Sequence, residues 1–119
     1  MVKASLKNYR QSPRKVRLIA DLVRGKKVNR ALIILKNAPK RAALPLRKLI
    51  ESAVANAKND NLSSESLVIK KITVDGGPTL FRRRPRARGA AYVIRKRTSH
   101  IGVELEGIKV TETKTEKKK

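Results

Sequence analysis

Apolar residues recur at two different spacings along this chain of 119 residues, and the change from one spacing to the other outlines its elements. Between Val2 and Tyr9, Ala4 and Leu6 alternate with polar neighbours until Gln11, Ser12 and Pro13 interrupt them, which predicts a short strand. Ser12 followed by Pro13 then suits a helix start: the serine Oγ can accept an unpaired first-turn N–H, and a proline at the first helical position has none to lose. Val16, Ile19, Ala20 and Val23 follow at helical spacing, with Arg14, Lys15 and Arg17 on the other face and Gly25 as a stop, so the first helix covers roughly 13–24.

Asn29 is a cap candidate for a short second helix with Ala31, Leu32, Ile33 and Leu35 as its apolar stripe, ended by Pro39. From Lys40 onward Ala42, Ala43, Leu46, Leu49, Ile50, Ala53, Val54 and Ala57 repeat every three or four positions, the pattern of a longer helix with one buried face. Pro45 lies within that pattern. An interior proline costs about 3 kcal/mol, so a kink or a late start near Leu44 is expected.

After a loop over 59–66 the period becomes two. Residues 67–74 are rich in Val, Ile and Thr, while Ile101, Val103 and Leu105 alternate with Gly102, Glu104 and Glu106; the two segments are expected to pair antiparallel, with Val74 near Ile101. That pairing leaves arms over roughly 77–84 and 90–99, joined by a turn around Pro85 to Gly89. The elements so read, a strand, three helices and two antiparallel strands joined through a long protruding β-hairpin, give an α+β fold class. A single domain would occupy residues 1–110, with the hairpin at about 77–99, and 111–119 would form a disordered basic tail.

Charge changes the picture most. With 31 Lys and Arg against 9 Asp and Glu the formal charge is +22, an excess that repels itself in a compact fold and makes a polyanion the economical partner. An anionic membrane is disfavoured, because aromatic residues total only 3% and no segment has the apolar length of a signal peptide or a bilayer span. With no Cys and a single His, His100, the sequence supplies neither a disulfide framework nor the usual zinc ligands, so no metal, cofactor or small-molecule substrate is expected.

The cations concentrate in the predicted hairpin. No acidic residue occurs between Gly76 and Val103, yet Arg82, Arg83, Arg84, Arg86, Arg88, Arg95, Lys96 and Arg97 fall there. Folding the arms onto their own domain would bury unpaired guanidinium groups, so the hairpin should project, and eight or nine extended residues reach roughly 25–30 Å. Arginine forks contact phosphates bidentately and stack on unpaired bases, which favours structured RNA. About six to eight phosphate contacts would give a log–log salt slope of roughly −4 to −7. The plain alternatives are a solvated flexible ribbon or a nuclear-import run, and for Arg14, Lys15, Arg17, Lys26 and Lys27 an ordinary solvated helix face, although the total charge makes RNA contact the expected use of these five. From another class, a chromosome-organising DNA-binding protein would also have basic arms, but it commonly requires a dimer and wedge residues.

Enzymatic readings are weak. Ser12-Pro-Arg-Lys15 fits the S-x-x-K pattern without its companion elements. His100 has no nearby carboxylate or thiol, which leaves it an RNA contact or a strand-end hydrogen bond. Gly76-Gly77-Pro78 lacks the lysine of a phosphate loop and reads as a bulge or flexible joint.

The motifs Ser12-Pro-Arg-Lys-Val-Arg17, Ala53-Val-Ala-Asn-Ala57, Gly77-Pro78, Arg84-Pro-Arg-Ala-Arg-Gly89 and Lys96-Arg-Thr-Ser-His-Ile101, in this order, resemble the bacterial L22 family of large-subunit ribosomal proteins over roughly residues 3–106. The resemblance implies a two-layer β-α-α-α-β-β domain, three helices against a small antiparallel sheet with a long protruding β-hairpin, in a non-enzymatic cytoplasmic protein on the outer surface of the large subunit that binds several domains of large-subunit rRNA, aids early assembly and lines the nascent-peptide exit tunnel with its hairpin. It implies as partners that rRNA, neighbouring ribosomal proteins and the nascent polypeptide. The RNA-contacting positions implied are Ser12, Arg14, Lys15 and Arg17, and Lys96, Arg97, Thr98, Ser99 and His100 where the hairpin rejoins the body. The tunnel-facing tip would be Arg83, Arg84, Pro85, Arg86, Ala87, Arg88 and Gly89.

Overall fold

The computed structural model describes residues 1–107. In chain order the elements are β1 (Val2–Tyr9), α1 (Pro13–Val23), α2 (Val28–Asn37), α3 (Ala43–Asn59), β2 (Val68–Gly76), β3 (Leu80–Pro85), β4 (Ala91–Lys96) and β5 (Ser99–Glu106), with one short 3-10 turn, Ala87–Gly89, between β3 and β4. The sheet order is β1-β5-β2, both pairings antiparallel, so the last strand lies in the middle and ties the two ends of the domain together. Val74 stands opposite Ile101, as the period-two pattern predicts. The expected tail over 111–119 lies outside the described residues.

Strand alternation decides which face the helices cover. Ile101, Val103 and Leu105 of β5 are buried, as are Val2 on one neighbour and Ile69, Ile72 and Val74 on the other, and the stripes of α1 and α3 pack over them. Val16, Ile19, Ala20 and Val23 form the buried stripe of α1; Leu46, Leu49, Ile50, Ala53 and Ala57 form that of α3. The α+β, two-layer expectation therefore holds, with the hairpin as a separate two-stranded ribbon of β3 and β4.

Three local expectations need correction. Ser12 is the N-cap of α1 by position, and its carbonyl accepts from the N–H groups of Lys15 (3.2 Å) and Val16 (3.3 Å), but its side chain makes no capping bond. The cap of α2 is Lys27, not Asn29. Here the backbone N–H of Val28 donates to the Leu67 carbonyl (3.1 Å) and that of Ile69 to the Lys26 carbonyl (3.0 Å), which pins the chain beside the start of β2 and leaves Val28 1% exposed. Burying a valine is worth about 1.5–3 kcal/mol and an asparagine cap about 1, so packing wins over capping. Ile33, expected in the α2 stripe, is 62% exposed; Val28, Ala31 and Leu35 are the buried positions.

Pro45 follows the late-start expectation. With α3 beginning at Ala43, the proline is its third residue and lies in the first turn, where the backbone N–H groups have no carbonyl partner within the helix. The interior penalty does not apply and no kink is required.

Candidate nucleic-acid interface

The hairpin leaves the body through a narrow joint. Between the pairs Gly76↔Ser99 and Leu80↔Lys96, Gly77, Pro78 and Thr79 stand opposite only Arg97 and Thr98, so one arm carries an extra residue and the ribbon is re-aimed as at a β-bulge. The Gly77 N–H donates to the Thr98 carbonyl (3.0 Å), and the Thr98 hydroxyl donates to the Pro78 carbonyl (2.6 Å). A Cβ at Gly77 would lie 2.5 Å from Thr98 Oγ1 and 3.0 Å from the His100 ring, so only glycine fits this approach. Ser99 Oγ donates to the Gln11 carbonyl (2.6 Å), and the Asn8 N–H, at a residue with φ of 58°, donates to His100 Nδ1 (3.1 Å).

Beyond the joint every residue from Phe81 to Ala91 is exposed, and the described residues extend 82 × 24 × 16 Å. The register explains how so cationic a ribbon can pair. Five of the six facing pairs match a cation with an apolar residue: Leu80↔Lys96, Phe81↔Arg95, Arg82↔Ile94, Arg83↔Val93 and Arg84↔Tyr92. Like charges directly opposite would repel, and this arrangement avoids that on both faces while giving each aliphatic stem a surface to lie on. At the tip the Arg86 N–H donates to the Ala90 carbonyl (2.6 Å), Arg88 and Gly89 take positive φ (61° and 71°), and the Arg86 guanidinium lies 4.1 Å above the centre of the Tyr92 ring.

A second cationic feature opens at the root of the hairpin. A cleft of about 680 Å³ is lined by Arg10, Lys15, Arg41, Arg95, Lys96 and Arg97, together with Ser12 and Gln11. Its cations come from the β1–α1 turn, the first turn of α1, the segment before α3 and the end of β4. The lining includes no carboxylate, and the ion pairs among the described residues lie elsewhere: Lys3–Glu104, Asp21–Arg24, Arg47–Glu51 and Lys70–Glu106. Gln11 Oε1 is buried without a hydrogen-bond partner beside it.

This geometry can be set beside known proteins. The family model for ribosomal protein L22p/L17e matches residues 4–106, which takes in the body, the joint, the cleft and the hairpin. The chain belongs to the ribosomal protein L22p/L17e family. It is 53% identical over 104 residues to the large ribosomal subunit protein uL22 of Caldicellulosiruptor saccharolyticus, covering 87% of this chain and 85% of that one. Against uL22 of Herpetosiphon aurantiacus identity is 56% over 105 residues (87% and 93% covered), and against uL22 of Bdellovibrio bacteriovorus 55% over 106 (88% and 96%).

The positions that the L22 resemblance marks as RNA contacts separate into four kinds. Lys15, Lys96, Arg97 and Ser12 converge on the cleft, with Arg95 beside them. Arg14 is exposed nearby on α1. Arg17 points two guanidinium donors at the Val74 carbonyl (3.2 and 3.1 Å), which joins α1 to β2 and leaves its remaining donors free. Thr98 and Ser99 are 3% and 0% exposed with their hydroxyls committed to Pro78 and Gln11, and the half-buried His100 accepts from the Asn8 N–H; these three side chains build the joint. Gly76-Gly77-Pro78, expected to be a bulge or flexible joint, is a bulge pinned by hydrogen bonds. Lys26 and Lys27 follow the far end of α1, about 16 Å of helix from the cleft, and Lys27 forms a bridge with Val68.

Arg10 and Arg41 were not foreseen. Each is an isolated cation in sequence, and only the packing of the β1–α1 turn against the segment before α3 brings them to one cleft. Among the described residues no group of His, Cys, Asp or Glu could hold a metal ion, and no helix is long and apolar enough to cross a membrane.

Proposed function

We propose that this chain is a structural, non-enzymatic constituent of the large ribosomal subunit in the cytoplasm, and that it binds large-subunit rRNA through its hairpin and the cationic surface at the hairpin's root. The observation that carries this reading is the acid-free segment between Gly76 and Val103, exposed throughout from Phe81 to Ala91, with the cations of its paired strands facing apolar residues instead of carboxylates. Such a ribbon has few internal contacts to stabilise it and many donors to offer a polyanion. A folded RNA supplies both charge and a groove. Membership of the L22p/L17e family and the name of its relatives, large ribosomal subunit protein uL22, point to the ribosome as the place where that RNA is met.

In this reading the body docks on rRNA at the subunit surface, and neighbouring ribosomal proteins meet its remaining faces. The hairpin crosses between RNA domains, which would help early assembly by holding them together. Its tip, Arg83 to Gly89, reaches the wall of the exit tunnel and meets the nascent polypeptide. The test is a salt titration of binding to large-subunit rRNA fragments, with transfer RNA and duplex DNA as competitors at matched phosphate. Retention of the ribosomal fragments at salt concentrations that release the competitors is the expected outcome. Equal binding to every polyanion would sink the ribosomal site and favour a DNA-organising protein.

A further inference from the structure

We propose that the cleft at the hairpin root is a clamp for consecutive phosphodiesters of one RNA strand, and that this bound backbone, through contacts to both sides, fixes the direction of the hairpin relative to the body. The inference rests on the rRNA-binding reading above and deepens it. It assigns the strongest backbone site to the root instead of the tip, and it makes Arg10 and Arg41 binding residues.

The lining chemistry selects the ligand class. Six cations face a single concavity and no carboxylate answers them, so the free protein holds like charges together at a cost that a polyanion relieves. One phosphate carries too little charge for six cations, whereas a run of phosphodiesters offers one negative charge per nucleotide. The lining has no aromatic ring on which a base could stack, which favours backbone over base recognition. Neutral donors complete the site. Ser12 Oγ is free of any capping role, and the first turn of α1, with no acidic residue in it, brings the positive end of the helix dipole beside Lys15.

The placement of the cations gives the clamp its consequence. Arg95, Lys96 and Arg97 belong to the hairpin and its joint, while Arg10, Lys15 and Arg41 belong to the body. The protein's own ties across the joint are a few hydrogen bonds, those of Gly77, Thr98, Ser99 and His100. A strand seated in the cleft adds charge-assisted contacts to both sides at once, so the ribbon's direction becomes part of the RNA's geometry.

Arg10 and Arg41 are exposed and outside the core, which makes them clean probes in the full chain. The Arg10→Ala/Arg41→Ala pair is compared with an Arg30→Ala/Lys36→Ala pair, which removes equal charge from exposed positions of α2 outside the cleft. Binding to large-subunit rRNA fragments is titrated with salt, and phosphate-ethylation interference locates the phosphates that matter. The cleft pair is expected to lower the log–log slope by about two and to abolish interference at a short run of adjacent phosphates, with unchanged helical circular dichroism. The control pair should leave that run intact. Equal effects of the two pairs, or no effect of the cleft pair while the unsubstituted chain still prefers ribosomal fragments, would overturn the clamp and leave the rRNA-binding reading standing. Loss of that preference in the unsubstituted chain would overturn the reading itself, and the clamp with it. Inorganic phosphate at matched concentration should not displace the RNA; displacement would show that a single free anion satisfies the cleft and would also overturn the clamp.

Discussion

The body and the hairpin are built from the same secondary-structure rules and differ in where their interactions end. In the body, Ile50, Leu46, Ile101 and Leu105 are fully buried and every strand of the sheet has a helix across one face. In the hairpin the residues from Phe81 to Ala91 are all exposed, its large apolar side chains Phe81 and Val93 remain 59% and 52% open, and its cations meet no carboxylate. Burial stabilises the first region internally; the second is a pair of strands whose missing interactions are of the kind a partner supplies. Stability should therefore follow the buried core of the body, and binding the exposed cations of the hairpin and its root.

The largest effect expected is on the body. Ile50→Ala removes a side chain with no exposed surface from the α3 stripe and should cost about 2–5 kcal/mol in urea denaturation, a substantial part of a small domain's stability. Val93→Ala, an apolar truncation on the hairpin, should stay within about 0.5 kcal/mol. Comparable losses at the two positions would mean that the ribbon packs on the body. The reverse asymmetry applies to binding: replacing Arg84, Arg86 and Arg88 with Ala should spare the helical circular dichroism and lower the salt slope of rRNA binding by up to about three. Loss of helical signal with unchanged binding would break the division.

The joint is where the regions meet, and it gives an intermediate effect. Gly77→Ala puts a Cβ against the Thr98 hydroxyl and the His100 ring, and forcing them apart should cost about 1–3 kcal/mol. Because the nearest clash is with Thr98 Oγ1, the same change in a Thr98→Ala background should cost less than in the natural one, a coupling that a double-mutant cycle measures. Additive costs would place the strain elsewhere.

How legible each region was in the sequence follows from the range of the interactions that shape it. Periodicity located all four elements before the loop over 59–66, and the register Val74↔Ile101, because burial on one face imposes a period that neighbouring residues share. The N-terminus of α2 was misread because its start is set by hydrogen bonds with Leu67 and Ile69, some forty residues away, which local capping patterns do not contain. The hairpin's charge is plain in composition, but Thr98, Ser99 and His100 are grouped with the RNA contacts by their place in a motif, and only their hydrogen bonds show them as parts of the joint as well. Arg10 and Arg41 carried no sequence signal, since a cleft assembled from four segments has no spacing to read.

The smallest effect is expected at the tip, where the ribbon has one stabilising contact of its own that is not a backbone bond. Arg86 lies over the Tyr92 ring, and Tyr92 faces Arg84 across the strands, so a single aromatic serves two cations on an otherwise open turn. An exposed cation–π contact is worth about 0.5–1 kcal/mol, too little to change unfolding of the body yet comparable with the margin of an isolated ribbon. Tyr92→Leu keeps an apolar partner for Arg84 and removes the π face. It should leave the urea midpoint unchanged while speeding amide hydrogen exchange at Arg86, whose N–H closes the turn onto Ala90. Unaltered exchange there would mean that the positive-φ turn at Arg88 and Gly89 holds the tip by backbone geometry alone, and that Tyr92 is present for a ligand rather than for the ribbon.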